Sequence, residues 1–146
     1  MLMTEIREMT TRDLNEVMVI EQATFASSWP RDIFQQILEN NNGHGYILTL
    51  KKEIIGYICI LKKGNAIHLA NFALKEEYRN KGMGTKFLQQ IIDSVSGDFD
   101  FIYLEVRKSN KKAIKLYENF GFKIYQIIAD YYLKPKEDAL LMVKLL

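Results

Sequence analysis

The stretch Tyr78-Arg79-Asn80-Lys81-Gly82-Met83-Gly84-Thr85 places two basic residues and two glycines where a helix is expected to begin. From Met83 onward the apolar residues Met83, Phe87, Leu88, Ile91, Ile92 and Val95 recur at steps of three and four, the spacing of an amphipathic helix. Gly82 and Gly84 then fall on its first turn, where the leading N–H groups lack partners within the helix and form the positive end of its dipole. Residues without a Cβ let a ligand approach that backbone closely, and Arg79 and Lys81 add formal charge beside it. The stretch is therefore either a site for an anion such as phosphate or a Gly-containing turn with a solvated basic flank, which its neighbours must decide. Neither the G-x-x-x-x-G-K-[ST] loop nor the G-x-G-x-x-G fingerprint occurs in the chain, which excludes the two commonest alternatives.

On the N-terminal side of this loop, three strand-like runs at about 45 to 51, 54 to 62 and 66 to 74 are separated by the turns Lys51-Lys52-Glu53 and Lys63-Gly64-Asn65. Earlier still, Glu5-Ile6-Arg7-Glu8-Met9 alternates as a short strand. Thr10, Thr11 and Asp13 then introduce a helix through Leu14, Val17, Met18 and Ile20. Ser27-Ser28-Trp29-Pro30 interrupts it, and a second helix through Ile33, Phe34, Ile37 and Leu38 stops at Asn40-Asn41-Asn42-Gly43. On the C-terminal side, Ser96-Gly97-Asp98 turns the chain into a strand at 101 to 107. A helix with the stripe Ala113, Leu116, Tyr117 and Phe120 follows, and then two last strands. This order predicts an α+β protein: one mixed sheet of about seven strands with four helices on its faces, in a single domain over 1–146. The run ending at Leu74 and the strand from Phe101 should form a parallel pair through a right-handed helical crossover.

With 48% hydrophobic residues among 146, the chain can bury a real core, and a formal net charge of +2 gives no reason to expect a nucleic-acid partner. No apolar run approaches a membrane span, and the N-terminus lacks the layout of a signal peptide, so a cytoplasmic protein with no membrane association is expected. A lone Cys59, inside the apolar run Tyr57-Ile58-Cys59-Ile60-Leu61, reads as a buried structural thiol. The separated His44 and His68 make a poor metal set, and no metal is expected.

Two residues could carry proton chemistry. In the strand at 101 to 107, Ile102, Leu104 and Val106 share one face, and Phe101, Tyr103, Glu105 and Arg107 the other. Glu105 among aromatics either pairs with a neighbour such as Arg107 or is kept for proton transfer. Ser109-Asn110 caps the next helix, which Gly121 ends. Tyr117 on its apolar stripe is either a core aromatic or a hydroxyl turned to a ligand in a cleft.

R-x-x-G-x-G at a helix start, followed by Leu104-Glu105-Val106-Arg107 and then by Asn110, Ala113, Tyr117, Gly121 and Phe122 in the pattern N-x-x-A-x-x-x-Y-x-x-x-G-F, resembles the GNAT superfamily of N-acetyltransferases. The resemblance implies the acyl-CoA N-acyltransferase fold and acetyl-CoA as cosubstrate. Arg79, Asn80, Lys81, Gly82, Met83, Gly84 and Thr85 would hold its pyrophosphate, Phe72, Ala73 and Leu74 on a bulged strand its pantetheine, and Asn110 the lower arm. Glu105 is implied as general base, directly or through water, and Tyr117 as general acid to the thiolate, in direct transfer without an acyl-enzyme. Ile20-Glu21-Gln22, Phe25, Trp29, Tyr131-Tyr132 and Glu137-Asp138-Ala139 resemble the branch that acetylates the N-terminal alanine of a small-subunit ribosomal protein. In that reading Phe25, Trp29, Tyr131, Tyr132 and Glu137 would bind the N-terminal peptide of the ribosomal protein, with Glu21, Asp130 and Asp138 facing its basic residues. The alternatives are a lysine, polyamine or small-amine acetyltransferase of the same fold and a non-catalytic CoA-binding module.

Overall fold

In the computed structural model, which describes residues 3–146, the elements form in the expected order. They are β1 (Thr4–Glu8), α1 (Leu14–Thr24), α2 (Arg31–Glu39), β2 (Gly43–Leu50), β3 (Glu53–Lys63), β4 (Ala66–Leu74), α3 (Met83–Val95), β5 (Phe101–Arg107), α4 (Lys111–Asn119), β6 (Lys123–Leu133) and β7 (Lys136–Leu145). One seven-stranded sheet runs in the order β1-β2-β3-β4-β5-β7-β6, antiparallel except for the expected parallel pair β4–β5. An interior strand explains the layering, because Ile54 to Ile60 of β3 are buried on both faces and so require a helical layer on each. Leu14, Val17, Ile20, Phe34 and Ile37 of α1 and α2 cover one face, against Ile47, Tyr57 and Cys59. Phe87, Leu88, Ile91, Ile92 and Val95 of α3, with Ile114 of α4, cover the other, against Ile58, Ile67, Ile102, Leu104 and Val106. Cys59 is fully buried as expected, and desolvation pushes its thiol pKa up, away from nucleophilic use.

Two irregularities open the sheet where chemistry could occur. In the β3–β4 ladder Cys59 pairs with Asn71 and Ile60 with Leu69, so Ala70 is an extra residue, a bulge. It shifts the side-chain alternation by one: Ile67 and Leu69 before it, and Phe72 and Leu74 after it, all lie on the α3 side. The parallel pairing of β4 and β5 covers only Ala66 with Phe101, Ile67 with Ile102 and His68 with Tyr103. Beyond His68 the two strands form no further pairs, and among the described residues the edge of β4 from Leu69 to Leu74 that faces β5 has no strand partner.

The start of α1 is pinned to β1 by a fork, with Arg7 donating from both terminal nitrogens to Asp13 at 2.8 and 2.9 Å while the Thr10 N–H donates to the same carboxylate at 2.8 Å. Asp13 is 6% exposed, so these bonds are shielded from solvent. Asp13→Ala should lower the unfolding free energy by about 1–3 kcal/mol in urea titrations at neutral pH. The Arg7 guanidinium, then the Thr10 N–H, hold the Asp13 pKa below the ordinary carboxylate value. Its contribution is therefore complete above about pH 4 and disappears as pH falls through the lowered value, so wild type and variant should converge in strong acid.

Candidate active site

The glycine loop is built as a bare helix entrance. Asn80 (φ 61°) and Gly82 (φ 84°) both occupy the left-handed region, which brings the chain round so that α3 begins at Met83. The first helical bond is Lys86 N–H to the Gly82 carbonyl at 3.1 Å, which leaves the N–H groups of Met83, Gly84 and Thr85 without intrahelical partners. A Cβ on Gly82 would meet no protein atom within 4 Å, whereas one on Gly84 would stand 3.0 Å from Leu74 Cδ1 and 3.5 Å from Phe72 Cζ. Gly82 thus borders open space, and Gly84 lets α3 close onto the end of β4. Arg79 braces the loop, donating from Nε to the Leu74 carbonyl at 3.0 Å and from Nη2 to Thr24 Oγ1 at 2.9 Å, while Lys81 is exposed. Asn110 caps α4, its Oδ1 accepting from Ala113 N–H at 3.2 Å, so its side-chain NH2 is the group still able to meet a ligand.

Glu105 lies just past the last β4–β5 pair. The carboxylate does not take Arg107 as partner: its Oε2 is 2.8 Å from His68 Nε2, and its Oε1 accepts from the Tyr131 hydroxyl at 3.3 Å. His68 is held flat against Tyr103, with ring centroids 4.6 Å apart and planes within 7°, and its buried Nδ1 has no hydrogen-bond partner among the described residues. Facing the Glu105 carboxylate, Nε2 is the donor of that bond. Burial first, and the neighbouring Glu105 second, push the Tyr131 pKa up, so its hydroxyl stays a donor at neutral pH.

Tyr117 approaches from the opposite side of the sheet. It packs edge-on to Phe122 at 5.6 Å against the α3–α4 core, and among the described residues no hydrogen bond reaches its hydroxyl. Desolvation, with a smaller contribution from Tyr132, raises its pKa, which keeps it protonated at neutral pH. Because β4 and β5 have parted here, groups on the two faces of the sheet can address one ligand lying in the opening.

A cleft of about 510 Å³ adjoins Glu105 through Tyr131, lined by Ala26, Ser27 and Ser28 of the α1–α2 loop and by Tyr131, Tyr132, Leu133 and Lys134 at the end of β6. Of the five expected acceptor-side residues, Tyr131 and Tyr132 line it. Phe25 and Trp29 instead pack against the α1–α2 core, Trp29 tilted over Phe34 at 5.1 Å, and Glu137 is engaged internally by Ser109 N–H at 2.6 Å and by Arg107 at 3.2 Å. Glu21 is corrected outright. At 1% exposure it cannot meet a peptide, and it accepts from the Tyr57 hydroxyl, from Asn71 Nδ2 at 2.7 Å and from Trp29 N–H at 2.9 Å. Asp138 accepts from the Asp130 N–H at 2.9 Å, and the Asp130 carboxylate lies 3.7 Å from Lys136.

The model of the acetyltransferase (GNAT) family matches residues 14–122, a span that holds the glycine loop, the parted strands and Tyr117 together. The chain belongs to the GNAT acetyltransferase family. It is 31% identical over 146 residues to the [ribosomal protein bS18]-alanine N-acetyltransferase of Escherichia coli, covering 96% of each chain. It is also 30% identical over 156 residues to an N-alpha-acetyltransferase of Saccharolobus solfataricus, covering 95% of this chain and 91% of the other. The crystal structure of a ribosomal-protein-alanine N-acetyltransferase from Escherichia coli superposes with a TM-score of 0.90 at 29% identity, over 98% of this chain and 94% of that one. As a GNAT enzyme the chain uses acetyl-CoA as cosubstrate, and among the described residues no cluster fit for a metal occurs and no helix is long and apolar enough to cross a membrane.

For a GNAT acetyltransferase, the residue that sequence reasoning passed over is His68, considered there only as a metal ligand. Its partnership with Glu105 depends on the parallel register of two strands 37 positions apart, which no local pattern specifies. The usable signal is chemical: a histidine in a mostly apolar strand that leads to the glycine loop.

Proposed function

We propose that this chain transfers the acetyl group of acetyl-CoA to the N-terminal α-amino group of a protein, the N-terminal alanine of a small-subunit ribosomal protein. The observation that carries this reading is a carboxylate held by His68 and Tyr131 at the mouth of the parted strands, beside an open cleft of about 510 Å³ that Tyr131 also lines. When bound, acetyl-CoA supplies an activated acyl group on a thioester. Its pyrophosphate would meet the N–H groups of Met83, Gly84 and Thr85 with Lys81 beside them, and its pantetheine the free edge of β4 at Phe72, Ala73 and Leu74, with Asn110 nearby.

The remaining task is proton management. The acceptor nitrogen arrives as an ammonium ion and must be neutral to attack; Glu105, held by its bond to His68, takes that proton directly or through water, and the second proton, shed as the C–N bond forms, replaces the one given to the thiolate. The departing thiolate needs a proton, and Tyr117, kept protonated by burial, is the donor. An α-amino group has a pKa near 8 against about 10.4 for lysine, so a terminus offers roughly a few hundredfold more neutral amine at pH 7. That difference favours an N-terminus over a side chain for a site whose base is a carboxylate.

The test is a peptide beginning with free alanine and containing internal lysines. One acetyl group per peptide, placed by fragment masses on the terminal nitrogen, is the expected result. Acetyl groups on lysine, or a polyamine that outcompetes the peptide in kcat/KM, would reject the N-terminal assignment.

A further inference from the structure

Arg107 lies two residues past Glu105 on the same face of β5, yet its guanidinium takes no part in the Glu105 cluster. It reaches instead to both walls of the cleft. Nη1 donates to the Pro135 carbonyl at 2.9 Å and to Glu137 at 3.2 Å, and Nη2 donates to Ser27 Oγ at 3.1 Å and to the Lys134 carbonyl at 3.2 Å. Its carbon centre stands 4.2 Å from the centroid of the Tyr132 ring, in cation–π contact. Ser27 closes the figure by donating to the same Lys134 carbonyl. One planar fork therefore joins the α1–α2 loop to the turn between β6 and β7, an arrangement that a lysine ammonium could not reproduce.

The loop is also anchored from the inside. Trp29 N–H is bound to Glu21, whose carboxylate is sealed in the core under two further donors from Tyr57 and Asn71. Releasing that inner anchor would leave a buried carboxyl group short of a partner, which is costly. The side chain of Arg107 retains 18% exposure, so the outer anchor is the one that water can compete for. Arg107 and the direct Ser27–Lys134 bond together hold the two walls of the cleft against each other at this point.

Resting on the acceptor reading above, we infer that Arg107 is a specificity-determining positioning residue: it latches the two cleft walls together and holds the cleft at the width of a single extended chain end. A pre-formed cleft spares the acceptor the cost of ordering both walls, so the latch acts on acceptor affinity and selectivity and leaves the acetyl-CoA cradle and the proton chemistry alone.

The test is Arg107→Met, which keeps the stem and removes the fork, with Ser27→Ala as a second variant on an exposed loop residue that removes only the loop's half of the latch. In Arg107→Met the KM for an alanine-initiated peptide should rise roughly tenfold or more, the loss expected for a set of charge-assisted bonds, with kcat within about twofold and acetyl-CoA affinity by calorimetry unchanged. The ratio of kcat/KM for that peptide over spermidine should fall in parallel. Ser27→Ala should shift the same quantities in the same direction by a smaller factor. Hydrogen exchange of the protein without acceptor gives a readout independent of the substrate: amides of residues 26–28 and of Lys134 and Lys136 should speed up together in both variants. Unchanged exchange and an unchanged peptide KM in either folded variant would overturn the latch, as would an equal loss of acetyl-CoA affinity. A wild-type enzyme that leaves the peptide unmodified while both variants accelerate loop exchange would instead reject the acceptor reading and uphold the latch.

Discussion

Glu105→Gln should lower kcat by roughly 10² to 10⁴ while acetyl-CoA binds as it does to wild type, the range expected when a general base is lost. The substitution isolates the proton because so little else changes. Glutamine has the same length, its amide oxygen can still accept from His68 Nε2, and its NH2 can donate to the Tyr131 hydroxyl in place of the bond that Glu105 Oε1 now accepts at 3.3 Å. The cradle at the start of α3 contains no contact to Glu105, so cofactor affinity has no reason to move. The pH dependence supplies the sharper signature. Without a base, the variant can use only acceptor that has already lost its proton in solution, so its rate should climb until the pH passes the α-amine value near 8, and the gap to wild type should narrow over that interval. Near-full turnover with an unchanged pH profile would return Glu105 to a structural role as the partner that orients His68.

How far this site was legible in the sequence depended on whether a residue's neighbours were local. The helix from Met83 and its glycine entrance follow from spacing within a dozen residues, and the structure starts α3 at Met83. The alternation of β5 likewise puts Glu105 on the face opposite the buried Ile102, Leu104 and Val106. What spacing could not supply was the partner across the sheet. The carboxylate at 105 had two candidate fates, and choosing between Arg107 and another group required knowing that β4 stops pairing at His68 and that Arg107 is drawn away by Ser27, Lys134, Pro135 and Glu137. The same blindness affected the acceptor side. Phe25 and Trp29 have the composition of a groove, but both pack against the α1–α2 core, Trp29 on Phe34, and the cleft beside Tyr131 is lined on that side by Ala26-Ser27-Ser28. An acidic residue such as Glu21 reads as surface in a sequence, yet it is the best-buried carboxylate described, because Tyr57, Asn71 and Trp29 N–H satisfy it.

Gly82→Val should abolish measurable acetyl-CoA binding, a loss of at least about a hundredfold, in a protein that still folds. Gly82 sits at φ 84° with no protein atom within 4 Å of the point where a Cβ would stand, so the new side chain meets open space, and that space adjoins the free N–H groups of Met83, Gly84 and Thr85. Valine acts there in two ways. It occupies the volume next to the unpaired donors, and its branched Cβ strains the left-handed backbone, pulling the first turn of α3 out of line. Losing even one or two charge-assisted N–H to phosphate bonds is worth a factor of this size. Strain alone must be separated from loss of the cradle, and the chain carries its own control. Gly64 also has positive φ (59°) and open surroundings, but it lies in the turn between β3 and β4, at the far end of β4 from Leu74. Gly64→Val should cost comparable thermal stability and leave acetyl-CoA affinity untouched in the same calorimetric titration. If Gly82→Val bound acetyl-CoA like Gly64→Val, the glycine loop would not be the cofactor cradle, and neither Lys81 nor the N-terminus of α3 would have a part in holding the pyrophosphate.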